Sequence, residues 1–429
     1  MARGAIWGLV ITIGGLVLGM VSQVVLAQQL GTAGYGVYVY VLAAMNAAAI
    51  VGRLEMDTAA VRFVAAYHAT HSWGLLHGYL NTSRRWVTLA SGGVAFLAAA
   101  VIVAVQRWLP DGYMIPLLLG CALLPIFARL QVEAGFLQGL HRVRESQAPF
   151  QLLRPLVLCA ALLVVWASSR RLSVPVAVLL QLLATTTALL VTLRLMARCS
   201  PAEARVAPPV DDSREWIRTV GPLLAISLSQ LVLSTQTDVL VVNSFLGKES
   251  TAIYGTASQL SALISFAFTA FMLIVQPQIA RLFAQRRIGD LQRLVGQVQL
   301  ASLLTSLAVF AVLVVFGKWA LSWFGPDFPS GYTVMLILAA GQVTMATLGA
   351  LAGYLLTMTG HQHVASQVIG GTAALNLILT LVLTPKLGII GTAIATSVAI
   401  LARGAILAII VHRRVGVSLV RFGVLRAAG

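Results

Sequence analysis

The sequence predicts an all-α polytopic membrane protein of twelve transmembrane helices, built as two six-helix bundles that repeat one another. Three observations carry that reading. Apolar stretches of about 20 residues, the length that crosses ~30 Å of hydrocarbon as a helix, recur along the chain. Of its 429 residues 59% are hydrophobic and 10% charged, where a soluble domain carries about 25% charged residues. Three sequence blocks also return in the same order at an offset of 216–220 residues. Helices follow because lipid offers no hydrogen-bond partner to an unpaired backbone group. The alternating segments of about 10 residues that mark an outer-membrane barrel do not occur.

In chain order the spans are expected at 6–27, 33–54, 86–106, 113–140, 148–168, 174–197, 219–246, 251–276, 296–317, 331–358, 364–384 and 388–411. Residues 6–27 are too long for the apolar core of a signal peptide and lack a small-residue cleavage site, so they read as the first span. With both termini in the cytoplasm, the inner segments hold 20 Lys and Arg and the outer turns hold 6. Basic residues are retained on the cytoplasmic side, so this asymmetry sets the orientation. It also accounts for the net charge of +16 without nucleic acid as a partner.

The longest outer turn, 318–330, has room for interfacial Trp residues and no folded domain. The inner connections 55–85 and 277–295 are expected to hold short surface helices, with Val61, Val64 and Ala65 sharing one face. Residues 198–214, with three Pro and mixed charge, read as a cytoplasmic linker between bundles 1–197 and 215–411. Residues 412–429 form a basic cytoplasmic tail.

The repeat is visible residue by residue. Leu30-Gly31 and Tyr35-Gly36 return as Leu246-Gly247 and Tyr254-Gly255. VRFVA at 61–65 returns as ARLFA at 280–284. Ala134-Gly135-Phe136-Leu137 returns as Ala352-Gly353-Tyr354-Leu355, His141 as His361, and Ser146-Gln147 as Ser366-Gln367. Six spans per half preserve orientation, so the halves are a parallel repeat, and transporters of that kind hold substrate between their bundles near the midplane.

Polar residues inside spans are therefore the candidate site, because a charge at the bilayer centre costs about 2.5–3.5 kcal/mol on insertion scales. Arg129 and Glu133, spaced i,i+4, share one helix face. They are either a self-neutralising pair or part of a cavity wall, and their repeat counterparts Thr347 and Leu351 are uncharged. Arg154 precedes Pro155 and either snorkels to the inner interface or lines the cavity. Arg403 lies about ten residues from the basic tail, ~15 Å along a helix, too far to snorkel, and is expected in the cavity. Asp238 stands with Gln230, Gln236 and Asn243 in a polar stripe that could pair an Arg or bind a cation. Arg53, Glu55 and Asp57 read as a solvated helix end, with Arg53 and Arg62 adding positive charge at the inner mouth.

Three embedded arginines against two acids suit an anion, and forked guanidinium donors suit phosphate. Other chemistry finds no support. No Walker A, HExxH or G-x-S-x-G sequence occurs. The three cysteines, Cys121, Cys159 and Cys199, suggest neither a disulfide framework nor a metal site. Gly15-x-x-x-Gly19 and Gly349-x-x-x-Gly353 read as close helix packing, and Gly221-Pro222 as a bend.

LGTAGYGVYVYVLA followed by VRFVAAY resembles the bacterial polysaccharide-repeat flippases of the Wzx type. So do TDVLVVNSFLGKESTAIYGTASQLSAL and NLILTLVLTPKLGIIGTAIATSVA, the latter at 376–399. The resemblance reaches nearly the whole chain. It places the protein in a superfamily with multidrug and toxic-compound (MATE) extruders and lipid II flippases, and implies a MATE-like V of two bundles that rock between inward- and outward-open states. The implied cargo is an oligosaccharide on undecaprenyl diphosphate, moved from the cytoplasmic to the periplasmic leaflet of the inner membrane, with glycan polymerase or export proteins as partners. No catalysis is implied, nor any cofactor beyond a coupling ion, H⁺ or Na⁺, or the membrane potential. Among individual positions only Asp238 is carried over. Two alternatives stand beside it: a cation-coupled drug or metabolite antiporter on the same fold, and a polytopic glycosyltransferase, polymerase or ligase. The short outer turns disfavour the latter.

Overall fold

The computed structural model describes residues 2–167, 172–265, 287–358 and 362–417, with 268, 275, 278, 279, 281, 282 and 285. The repeat block at 280–284, His361 and the tail beyond residue 417 lie wholly or partly outside the described residues, as does the end of the expected eighth span.

The chain divides into two compact units, residues 1–228 and 229–429. In the first unit α1 (Ala2–Arg53) is followed by α2 (Met56–Ala69), α3 (Trp73–Ala104) and α4 (Met114–Gly139). Then come α5 (Val143–Gln147), a widened π turn (Ala148–Leu153), α6 (Arg154–Ala167), α7 (Val174–Cys199), α8 (Ala202–Val206) and most of α9 (Ser213–Val232). The second unit holds α10 (Thr235–Ser261), α11 (Ile288–Ser322), α12 (Tyr332–Thr344), a π turn (Met345–Gly349), α13 (Ala350–Met358) and α14 (Gln362–Val415).

Eight of the described helical stretches are long and apolar enough to cross a membrane, and a bent pair makes a ninth. The repeated Leu-Gly dipeptides explain how these relate to the twelve expected spans. Gly31 and Gly247 carry φ of +66° and +81° and break α1 and α10, and Gly388, also after a Leu, breaks α14 at +63°. A positive φ costs glycine nothing and an L side chain a good deal. Each break therefore turns one long helix into two consecutive spans, and among the described residues all twelve expected segments are represented.

Several boundaries differ from the sequence reading. The third span begins at Trp73, thirteen residues early, because Leu76, Tyr79, Leu80 and Ser83 form a buried helix face. Helix α2 is not a surface helix on the 61/64/65 face. It buries Met56, Ala59, Ala60, Phe63 and Val64 against Leu76, Tyr79, Phe136 and Trp216. Glycines allow that approach: a Cβ on Gly135 would stand 2.5 Å from the Asp57 carbonyl, and one on Gly139 2.9 Å from that of Ala60.

Residues 198–214 are strapped to the first unit. The Val210 amide donates to Gly74 O at 2.9 Å, and Gly78 leaves room for the Val210 carbonyl. Trp216 is 1% exposed and donates through Nε1 to Tyr67 Oη at 3.0 Å, which is why the first unit extends past the linker to 228. The seventh span bends by 47°, though not at Gly221-Pro222. The break falls at 233–234, where the Ser234 and Thr237 hydroxyls donate to Leu231 O at 2.6 and 2.7 Å and compete with the helix ladder. Gly15 packs directly on the Gln151 carbonyl, while Gly19 has no described atom within 4 Å of a built Cβ.

Candidate functional site

Two of the cavities of the first unit lie on opposite faces of α4. Gln131, Ala134, Gly135 and Gln138, at i, i+3, i+4 and i+7, line one of about 390 Å³, within the range of small-ligand sites. Arg129 lies about 140–240° around the helix from those residues at 100° per residue and lines the other, of about 400 Å³.

The first cavity is closed by Asp57, Thr58 and Val61 of α2, Ser146 and Gln147 of α5, and Phe150 and Gln151 of the π turn. Its wall is rich in amides. Arg53 ties it to the end of α1: its guanidinium donates to Glu55 Oε1 at 2.9 Å, approaches Asp57 Oδ2 at 3.3 Å and bonds Gln131 Oε1. Glu55, in the left-handed region with φ +54°, is buried and accepts from Thr58 Oγ1 at 2.7 Å. One guanidinium against two carboxylates leaves this group one negative charge in excess. Asp57 Oδ1 and Gln151 Oε1 are buried without a hydrogen-bond partner. Burial pushes the Asp57 carboxyl above the usual carboxylate range, Arg53 opposing and Glu55 reinforcing the shift. The expected solvated helix end is therefore the wall of a polar cavity, with Arg53 inside the network. Arg62 is exposed, its guanidinium 5.7 Å from the Phe63 ring, and lines neither cavity.

In the second cavity Arg129 and Glu133 form more than a pair. Arg84 grips Glu133 with two bonds, Nε to Oε1 and Nη2 to Oε2, both 2.9 Å. Arg129 Nε adds a third to Oε1 at 2.9 Å. Glu133 is 0% exposed, so one buried carboxylate serves two guanidiniums and one positive charge is left over. Arg84 was missed because it sits N-terminal to the expected third span. The signal that could have found it is its spacing from His77 and Asn81, which share a helical face.

Arg154 is held apart from both. Its guanidinium stacks over Phe127 and Phe150 at 5.4 and 5.3 Å. Gln181, with its amide turned to satisfy both neighbours, accepts from Arg154 at 3.0 and 3.1 Å and donates to Tyr38 Oη. No carboxylate among the described residues pairs with it. In the second unit Arg403 has no hydrogen bond or ion pair among the described residues, and its Nε is buried unpartnered. Asp238 is 1% exposed. Its Oδ2 accepts from Tyr254 Oη at 2.8 Å and Thr396 Oγ1 at 2.9 Å. Asp238 Oδ1, Asn376 Oδ1 and Thr380 Oγ1 are buried without partners. The described side chains of the expected stripe, Gln230, Gln236 and Asn243, do not bond it; Thr396 and Tyr254 do. The seven expected residues are thus not one cluster. Arg53 joins the amide cavity, Arg129 and Glu133 the basic one, and Arg154, Arg403 and Asp238 have separate settings.

Solved structures share the fold. A multidrug resistance MATE family transporter in an inward-facing conformation matches with TM-score 0.76 and 13% identity, covering 96% of this chain and 98% of that one. The lipid II flippase MurJ, inward closed, matches with TM-score 0.72 and 14% identity over 95% and 87%. A transporter of the MOP superfamily from Pyrococcus furiosus gives 0.67 and 12% over 97% and 95%. The chain belongs to the polysaccharide biosynthesis protein family, whose profile matches residues 1–283. A probable low-salt glycan biosynthesis flippase of Haloferax volcanii is 24% identical over 161 residues, 37% of this chain, and the match spans about a third (34%) of that relative's length.

Proposed function

We propose that this protein is a flippase that carries an oligosaccharide on undecaprenyl diphosphate from the cytoplasmic to the periplasmic leaflet of a bacterial inner membrane. Alternating access moves it, and the product feeds cell-surface polysaccharide assembly by a polymerase or export partner. The observation that carries this reading is the amide-lined cavity. Gln131, Gln138, Gln147 and Gln151, with two unpartnered oxygens, match a ligand rich in hydroxyls, and an unmet buried acceptor costs about 1–3 kcal/mol until a donor arrives.

The candidate guanidiniums for the diphosphate are those that lack a carboxylate among the described residues, Arg154 in the first unit and Arg403 in the second, while Arg53 is already neutralised by Glu55 and Asp57. Arg129 contributes less than the sequence implies, because half of the local charge is already neutralised by Glu133. The chain supplies binding and no bond chemistry. For coupling, the oxygens around Asp238 fit H⁺ or Na⁺, since Asn376 lies beside the carboxylate and Thr380 is one turn further along α14. The membrane potential alone also pushes an anion outward, by about 2.3 kcal/mol per charge per 100 mV. Cation-coupled drug antiport is the second reading, favoured by the negative excess at Asp57.

Complementation of a flippase-null strain separates the two. Arg154→Gln and Arg403→Gln are expected to insert normally and lose complementation, and Asp238→Asn to lose ion dependence. Full complementation by both arginine variants, or ethidium efflux dependent on Asp57, overturns the flippase reading.

A further inference from the structure

We infer that the second cavity of the first unit is a separate binding site for a phosphate headgroup, distinct from the amide-lined cavity across α4. Two matched helix faces make most of its wall. His77, Leu80, Asn81 and Arg84 come from α3, and Leu193, Met196, Ala197 and Ser200 from the end of α7, each row at i, i+3, i+4 and i+7. Arg129 of α4 and Arg205 of α8 complete it.

The charge is one-sided. Glu133 neutralises one of the three guanidiniums and lies beneath the cavity, fully buried, so two positive charges face a space of about 400 Å³. Donors are left over. Arg84 spends Nε and Nη2 on Glu133, and its Nη1 has no hydrogen bond among the described residues. The Asn81 amide has none either. Arg205 uses one nitrogen, Nη2, on the carbonyls of Ala197 and Ser200. His77 Nδ1 donates to Ala207 O at 2.7 Å, which fixes the ring against the linker.

Forked donors and a net cation select phosphate over a neutral ligand. The source is a membrane lipid rather than a soluble ion on two grounds. Leu80, Leu193, Met196 and Ala197 line the same space and suit a glycerol and the first methylenes. The cavity also sits where α3 begins and α7 ends, the side that the Lys and Arg asymmetry assigns to the cytoplasm, where basic pockets between spans meet anionic headgroups. Occupancy would hold α8 and the linker against α3 and α7. Of the linker, Ser200, Ala204 and Arg205 line the cavity.

Native mass spectrometry of the detergent-purified chain, exchanged against phosphatidylglycerol or phosphatidylcholine, tests this. Arg205→Gln and Asn81→Leu leave the Glu133 cluster intact. Retention of phosphatidylglycerol over phosphatidylcholine is expected, falling about fivefold in Arg205→Gln, the effect of one basic residue at a membrane surface. Inorganic phosphate that binds with the same dependence on Arg205, without phosphatidylglycerol preference, assigns the site to a soluble phosphate and keeps the phosphate chemistry. No preference between the lipids and no phosphate binding, or equal retention in wild type and both variants, overturns the inference. Flipping assays on the Arg154 variant read the proposed flippase function separately.

Discussion

Gly135→Ala is the sharpest test of how the amide-lined cavity is made. A Cβ at 135 would lie 2.5 Å from the Asp57 carbonyl oxygen, 2.9 Å from its Cα and 3.1 Å from its carbonyl carbon. All three are backbone, so no side chain can swing away. Ordinary contact begins at 3.4 Å, so the start of α2 must retreat by about 0.9 Å. Overpacking of this kind costs about 1–3 kcal/mol, and the helix-propensity gain of Gly→Ala, up to ~1 kcal/mol, offsets part of it. A net loss of about 1–2 kcal/mol is expected, together with reduced flipping, because Asp57 and Thr58 move with the backbone. Gly93→Ala is the matched control. It is exposed on α3 with no described atom within 4 Å of its built Cβ and should gain about 0.5–1 kcal/mol. Reversible unfolding in mixed micelles by added SDS measures both. If Gly135→Ala unfolds with or after the Gly93→Ala control and flips normally, α2 does not rest on α4 as described.

Further outcomes follow from the same geometry. Glu133→Gln leaves two guanidiniums without their shared carboxylate. Loss of one partner of a buried ion pair costs about 3–5 kcal/mol, and the 30% and 24% exposure of the Arg84 and Arg129 side chains puts this case at the low end. The triple change to Leu at 84, 129 and 133 should recover most of that loss in the same SDS titration. Asp57 adds a pH dependence. Its folded carboxyl binds a proton more tightly than the unfolded value of 3.8, so the folded state gains stability as pH falls through the raised value toward 3.8, and loses it as pH rises. Thermal unfolding of wild type against Asp57→Asn should show that slope in the wild type alone; an equal slope in both removes Asp57 as its source. Phe150→Leu removes one of the two rings over Arg154, a contact of about 0.5–2 kcal/mol, and should lower stability without blocking insertion.

The fold was legible because it rests on composition and repetition. Apolar length gives the spans, and the repeated Leu-Gly marks places where a helix must turn without lipid-exposed backbone. What the sequence could not place was lateral packing. Arg129 and Glu133 read correctly as neighbours, yet their third partner, Arg84, is 49 residues from Glu133 and approaches only because α3 starts early and packs against α4 there. Arg53, Glu55 and Asp57 looked like a solvated end because nothing local shows that Gly135 and Gly139 draw α2 into the core. Arg154 gave no hint of Gln181, since an amide and two aromatic rings leave no charge signal. Asp238 was found by its charge. Its true partners, Tyr254 and Thr396, lie 16 and 158 positions away and are ordinary residues of apolar helices.

Transbilayer movement in proteoliposomes is the most direct measurement. Vesicles holding the purified chain receive a fluorescent undecaprenyl-diphosphate oligosaccharide, and its loss from the accessible leaflet is followed by a membrane-impermeant quencher. Movement well above protein-free vesicles in the wild type, falling to that background in Arg154→Gln, is the predicted result. Equal movement in both proteins, or none above protein-free vesicles in the wild type, contradicts the account.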